Sequence, residues 1–90
     1  MDLRPDSPTR LRWFATELHP GAAPAVLIPP GFAHGFITLA DNTELHYCID
    51  PPYAPEAARG ARYNDPAFAI SWPLAPQIVA ERDLAWPDFA

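Results

Sequence analysis

The 90-residue sequence contains one cysteine, Cys48, and no lysine. A single cysteine cannot form a disulfide within the chain, so nothing indicates an oxidising compartment and we expect a cytoplasmic protein. No run approaches the ~20 apolar residues of a membrane-spanning helix, and the N-terminus lacks the pattern of a signal peptide. We therefore expect no membrane association.

Positive charge is also scarce, because six arginines face eleven acidic residues and the formal net charge is -5. A surface with so little positive charge does not attract phosphate backbones, so we expect no nucleic-acid partner. Arginine without lysine suits bidentate recognition of anions, although genomic composition alone gives the same bias. A small anionic substrate stays possible, since it needs only local positive charge.

Apolar residues make up 49% of the chain, and there are thirteen prolines. The first number predicts a packed core, and the second excludes long helices. Short apolar runs alternate with turn clusters at intervals near the ~8 to 12 residues typical of sandwiches and barrels. This pattern predicts a single all-β domain over residues 1–90, with strands at 12–18, 25–28, 35–39, 44–49 and 69–72.

The most informative segment is 28–36, which reads IPPGFAHGF. Its two prolines fix φ and its two glycines permit positive φ, so the backbone can turn sharply and enter a strand. His34 would then lie at the mouth of a pocket with an apolar wall from Phe32 and Phe36. The alternative is a structural histidine whose hydrogen bonds are satisfied within the fold.

Motifs in one order run along nearly the whole chain. They are DLR at 2–4, SPT at 7–9, IPPGFAHGF at 28–36, Tyr47, YAPE at 53–56, NDP at 64–66, ISWP at 70–73 and RD at 82–83. Together they resemble the carboxy-terminal half of the dTDP-4-dehydrorhamnose 3,5-epimerase family, cupin-fold enzymes of deoxysugar-nucleotide synthesis. The resemblance implies an all-β, cupin-like jelly roll that is incomplete, a single partial cupin domain over 1–90 with a short C-terminal helical or irregular segment.

The family's reaction removes protons beside a keto group, at C5 and C3 of dTDP-4-keto-6-deoxyglucose, and returns them to the opposite faces. The resemblance places Tyr47 on the family's proton-donating tyrosine and Asp83 on the aspartate that orients the catalytic base. A tyrosine is neutral at working pH, which suits a proton donor. His34 matches a second pocket histidine and Tyr53 an aromatic near the pyrimidine, so both are predicted to bind substrate.

The family uses no metal or cofactor, and we expect none here, because His34 has no second ligand at motif spacing. Both predicted catalytic residues also have simpler explanations. A tyrosine on an alternating strand, such as Tyr47, is usually core packing. Asp83 could be a helix cap or a surface carboxylate.

The 90 residues lack one segment that the resemblance implies, the Arg-Gly-Leu-His segment that carries the family's catalytic base. We expect that these residues alone do not catalyse the epimerisation. Three hypotheses stay open: an epimerase-family protein acting on a dTDP-linked 4-keto-6-deoxy sugar, a half-cupin that binds a nucleotide sugar or pairs with a full-length relative without turnover, and a truncated remnant. Because the family forms dimers and open strand edges favour association, a homodimer is predicted.

Overall fold

The computed structural model of the protein describes residues 1–21, 25–52 and 54–89. Regular structure within these ranges consists of a short 3-10 helix, Pro55–Ala57, and one α-helix, α1, Glu81–Leu84. Proline suits the first position of a helix, since its fixed φ is already helical and no N–H is needed there. Neither of these short helices has the length or the apolar character needed to cross a membrane.

The predicted all-β, cupin-like jelly roll is wrong for the described residues, because these contain no β-strand. Their strand-like pairing is one isolated antiparallel bridge, between Asp2 and Phe32. Alternation of polar and apolar residues determines which face of a strand would be buried. A strand forms only when the N–H and C=O groups of a neighbouring segment form hydrogen bonds with its own. The segments predicted as strands find no such neighbour among the described residues; they are 12–18, 25–28, 35–39, 44–49 and 69–72.

The N-terminal segment, residues 1–3, lies between residues 11–12 and residues 31–33. The backbone hydrogen bonds that hold it are Leu3 N to Gly31 O (3.0 Å), Ala33 N to Met1 O (3.0 Å), Asp2 N to Arg12 O (3.0 Å) and Leu11 N to Asp2 O (2.7 Å). The chain is thus folded back twice around its own beginning, and the turn that precedes His34 is fixed to it.

Aromatic pairs form the packed centre. Phe68, which is 5% exposed, is the buried hydrophobic residue of the described chain, and its ring lies 5.2 Å from that of Phe89. Tyr63 meets Trp72 edge-on at 6.1 Å, and the Trp72 indole donates a hydrogen bond to the Tyr63 carbonyl at 2.9 Å. The guanidinium of Arg10 lies 5.8 Å from the centre of the Phe89 ring. It thus connects the N-terminal loop, residues 1–12, to this aromatic cluster.

The rest of the chain is open to solvent. The protein exposes 8106 Å², whereas a compact monomer of its mass, 9.9 kDa, exposes roughly 5,200 Å². Large exposed side chains concentrate in the segments predicted as strands, as at Leu27, Phe36 and Ile49. We call residues 1–12, 31–33, 60–73 and 86–89 the packed part, and the other described residues the exposed part.

Candidate functional site

Three of the four predicted site residues, His34, Tyr47 and Asp83, lie in the exposed part. His34 directly follows the fixed segment 31–33, and its side chain is exposed. Tyr47 is 73% exposed. Asp83 belongs to α1, with about half of its side chain in solvent and its Oδ1 3.8 Å from the Nε of Arg82. Tyr53 lies outside the described residues.

The polar groups of His34, Tyr47 and Asp83 do not form a linked network. Within residues 1–21, 25–52 and 54–89, no hydrogen bond or ion pair joins His34, Tyr47 and Asp83. The apolar wall predicted beside His34 is also divided, because Phe32 is half-buried under Arg4 while Phe36 is exposed. These three predicted residues are therefore accessible to a ligand, and no hydrogen bond or ion pair between them defines a shared site.

Two surface grooves occur elsewhere. One is lined by residues 4–8 and the other by residues between 49 and 58. Neither contains His34, Tyr47 or Asp83. Among the residues that the structure describes, no group of three or more His, Cys, Asp and Glu side chains is placed to hold a metal ion.

A buried carboxylate organises the N-terminal loop. Asp2 is 2% exposed, and its Oδ1 accepts hydrogen bonds from the backbone N–H and the Nε of Arg4, both at 3.0 Å. Its Oδ2 accepts from Arg4 Nη2 at 2.9 Å, Ser7 Oγ at 2.5 Å and Thr9 Oγ1 at 2.6 Å. The Arg4 guanidinium, helped by the two hydroxyls, holds the pKa of Asp2 well below its ordinary value, and burial only partly opposes this.

Arg4 connects this carboxylate to the turn before His34. Its guanidinium carbon lies 4.9 Å from the centre of the Phe32 ring, a cation–π arrangement. Gly31 has a φ of 89°, and a Cβ at this position would lie 2.6 Å from Arg4 Cγ. Glycine is needed there both for the backbone conformation and for the close approach of Arg4. The hydrogen bonds that Arg4 donates to Asp2 in turn raise the pKa of Arg4.

A second buried carboxylate organises the C-terminal segment. Asp65 is 2% exposed; its Oδ1 accepts the N–H of Ala67 at 2.9 Å, and its Oδ2 accepts the N–H of Phe89 at 2.8 Å. The first bond closes a local turn of the kind that Asp commonly forms, and the second ties residue 89 to residue 65. Asp65 therefore anchors the segment that follows α1 and Asp83.

Sequence reasoning did not assign these two aspartates a role. The signals were available, because Asp2 is followed by an arginine and two hydroxyl residues in a proline-containing loop, and Asp65 stands before a proline at a turn. Both patterns favour side chain to backbone hydrogen bonds. What they do not specify is the distant partner, such as the Phe89 N–H.

A comparison with protein families decides what kind of chain this is. The family model described as dTDP-4-dehydrorhamnose 3,5-epimerase matches residues 1–90. The chain belongs to this family. The family resemblance inferred from the spaced motifs is thereby confirmed over all 90 residues.

Individual members of the dTDP-4-dehydrorhamnose 3,5-epimerase family give the same result. The enzyme of that name from Pseudomonas aeruginosa is 39% identical over 92 residues, covering 100% of this chain and 50% of the relative. The one from Sinorhizobium fredii is 38% identical over 88 residues, covering 97% of this chain and 45% of the relative. The chain therefore spans about half the length of the curated relatives it matches. No solved structure matches it.

Proposed function

We propose that residues 1–90 act as one unit, which supplies the proton donor and part of the substrate site of a dTDP-4-dehydrorhamnose 3,5-epimerase. The observation that carries the proposal is the family match over all 90 residues, at 38 to 39% identity to relatives of that name. The substrate is a dTDP-linked 4-keto-6-deoxy sugar. His34 and Tyr53 bind it, and Tyr47 and Asp83 take part in the proton transfers.

Tyr47 is the proposed proton donor. When a base removes the proton beside the keto group, the electron pair moves onto the keto oxygen and forms an enolate. Tyr47 then gives its phenolic proton to the same carbon from the opposite face, so that the centre is inverted. Two observations support this role: the Tyr47 side chain is largely exposed, and its hydroxyl has no hydrogen-bond partner within the described residues, which leaves it available to a ligand.

The base is the part that the 90 residues do not themselves supply. We propose that it is a histidine provided by a segment equivalent to the half of the relatives that this chain does not match. Asp83 would accept a hydrogen bond from that imidazole, hold it in one tautomer and stabilise its charged form. The half-exposed Asp83 carboxylate, whose nearest ion-pair distance is 3.8 Å, is free to take such a partner.

A second candidate is binding of the nucleotide sugar without turnover. It is favoured by the lack of any hydrogen bond or ion pair that joins His34, Tyr47 and Asp83 within the described residues. In this case the chain either acts as a binding module or associates with a full-length relative.

We propose a homodimer located in the cytoplasm. The excess of exposed surface over that of a compact monomer, together with exposed side chains such as Leu27 and Ile49, favours association. The single cysteine is what a reducing compartment permits.

Deuterium incorporation from heavy water into dTDP-4-keto-6-deoxyglucose tests the proposed function. The chain is assayed alone and together with the N-terminal half of the Pseudomonas aeruginosa relative. We expect no exchange above the enzyme-free control with the chain alone, and exchange when both halves are present. Absence of exchange with both halves would contradict the epimerase proposal, and binding of the sugar nucleotide would then favour the second candidate.

Two tyrosine variants sharpen the assay. Tyr47→Phe removes the proposed donor and should return deuterium incorporation with inversion to the control level, because the base returns a deuteron only to the face from which it took the proton. Tyr63→Phe is the matched control, because it removes a phenolic hydroxyl but keeps the ring that packs on Trp72. Equal loss of exchange in both variants would contradict a specific role for Tyr47.

A further inference from the structure

The turn that carries His34 is held by contacts that begin at a buried carboxylate. Asp2 fixes Arg4 through the Nε at 3.0 Å and the Nη2 at 2.9 Å, and Ser7 and Thr9 complete its hydrogen bonds. A guanidinium held by two parallel bonds to a carboxylate has one orientation. Arg4 is therefore a rigid group on the surface of the loop.

The rigid Arg4 side chain lies on the turn. Its Cγ is so close to Gly31 that no larger residue fits there, and its guanidinium covers the ring of Phe32 at 4.9 Å. The N–H of Leu3 also donates to the Gly31 carbonyl at 3.0 Å. The backbone of residues 31–33 is thus held by both side-chain and backbone contacts, immediately before His34.

We propose that Asp2 and Arg4 are positioning residues for His34 in the nucleotide-sugar site. The inference rests on the proposed function, because it assigns the fixed turn the purpose of presenting a substrate-binding imidazole. Arg4 directs its Nε and Nη2 at Asp2, which fixes its side chain against the turn. Its effect on the substrate passes through Gly31 and Phe32 to His34.

The test begins without ligand, by NMR of the full chain, and follows the imidazole signals of the three histidines. Arg4→Gln removes the guanidinium and should shift the His34 signals, while His19 and His46, which lie in the exposed part, stay unchanged. The exchange rate of the Ala33 amide, which donates to the Met1 carbonyl, should rise about tenfold, the effect of losing one hydrogen bond to a charged group. Gly31→Ala disturbs the same contact from the other side and should shift the same signals.

Arg10→Gln is the matched control, because it removes an arginine of the same loop that contacts Phe89 and not Phe32. It should leave the His34 signals and the Ala33 amide unchanged. Arg4→Lys keeps the charge without the planar fork and should restore the wild-type signals only in part. Unmoved His34 signals in Arg4→Gln, or equal shifts at all three histidines, would overturn the inference. If Arg4→Gln unfolds the chain, Arg4→Lys decides by the same criterion.

A second arm adds dTDP and measures its affinity. Arg4→Gln and His34→Ala should each weaken binding about tenfold, and the double variant should be no weaker than His34→Ala, because both substitutions act through one contact. Additive losses would overturn the inference. If the wild-type chain does not bind dTDP, the nucleotide-binding role proposed for these 90 residues on their own fails, whereas the ligand-free His34 signals still show whether Arg4 positions that residue.

Discussion

The packed part and the exposed part of this chain differ in how their polar groups are satisfied. In the packed part, two buried aspartates accept hydrogen bonds from nearby donors, and aromatic rings pack around Phe68. In the exposed part, large apolar side chains such as Leu27 and Ile78 are at least nine-tenths in solvent. Local polar contacts are completed within the 90 residues, whereas the apolar faces are not covered.

This difference shows which interactions a short chain can complete on its own. A carboxylate that binds donors two to seven residues away needs only a loop, and the entropy of closing such a loop is small. A half-buried strand needs a neighbouring segment and a second apolar face, which come from distant sequence or from another chain. The predicted site residues that the structure describes, His34, Tyr47 and Asp83, belong to the part that still requires such a neighbour.

The largest effect is expected from removing the packed centre. Phe68→Ala should lower the free energy of unfolding by about 3 kcal/mol, because the deleted ring leaves a cavity beside Phe89. Ile78→Ala is the control, since Ile78 is 95% exposed and its truncation should change stability by less than about 0.5 kcal/mol. Urea unfolding measures the free energy of unfolding of both variants. Similar losses of stability in the two would contradict the distinction between the packed part and the exposed part.

A smaller loss is expected at the second buried carboxylate. Asp65→Ala leaves the N–H groups of Ala67 and Phe89 without their acceptor and should cost about 2 kcal/mol in unfolding free energy. Asp50→Ala, at an exposed position, is the matched control. The thermal midpoints of the two variants make the comparison. A loss confined to Asp50→Ala would show that the packed part is wrongly delimited.

Acid should weaken the packed part through Asp2. Its pKa is held low in the folded protein, chiefly by Arg4, so the unfolded chain takes up a proton first as the pH falls. The stabilisation is complete above the ordinary carboxyl pKa of about 4 and declines as the pH falls further towards the lower folded value. The urea midpoint of the wild type should therefore drop as the pH is lowered from about 5, one unit above that ordinary pKa, to about 3, one unit below it.

Asp2→Asn provides the control for this pH dependence. It should lower the urea midpoint at pH 7 and flatten the decline between pH 5 and pH 3, since no titrating group is left at the centre of the loop. A wild type and a variant with parallel pH profiles would contradict the role assigned to the Asp2–Arg4 pair.

The smallest effect is expected at the proposed proton donor. Tyr47→Phe should change the unfolding free energy by less than about 0.5 kcal/mol, because the hydroxyl has no partner within the described residues. Thermal unfolding checks this. A loss above about 1 kcal/mol would mean that the hydroxyl is bonded in the folded chain and is not held ready for a ligand.

The family could be predicted from the sequence because spaced motifs report ancestry independently of how this chain packs. The turn at Gly31 was also predictable, since prolines and glycine restrict its backbone locally, and Gly31 does adopt a positive φ of 89°. The jelly roll was not, because alternation in segments such as 44–49 specifies a face and not a partner. The roles of Asp2 and Asp65 depend on contacts that single-sequence patterns do not specify.

The decisive experiment is an NMR titration of the chain, mixed with the N-terminal half of the Pseudomonas aeruginosa relative, with dTDP-4-keto-6-deoxyglucose, because the claim is that residues not bonded to one another in the free chain serve one ligand. The claim predicts that the signals of Tyr47, His34 and Asp83 shift with one common dissociation constant, while those of Tyr63 and His19 stay in place. Unchanged signals at Tyr47 and His34, or separate dissociation constants for the two residues, would contradict it.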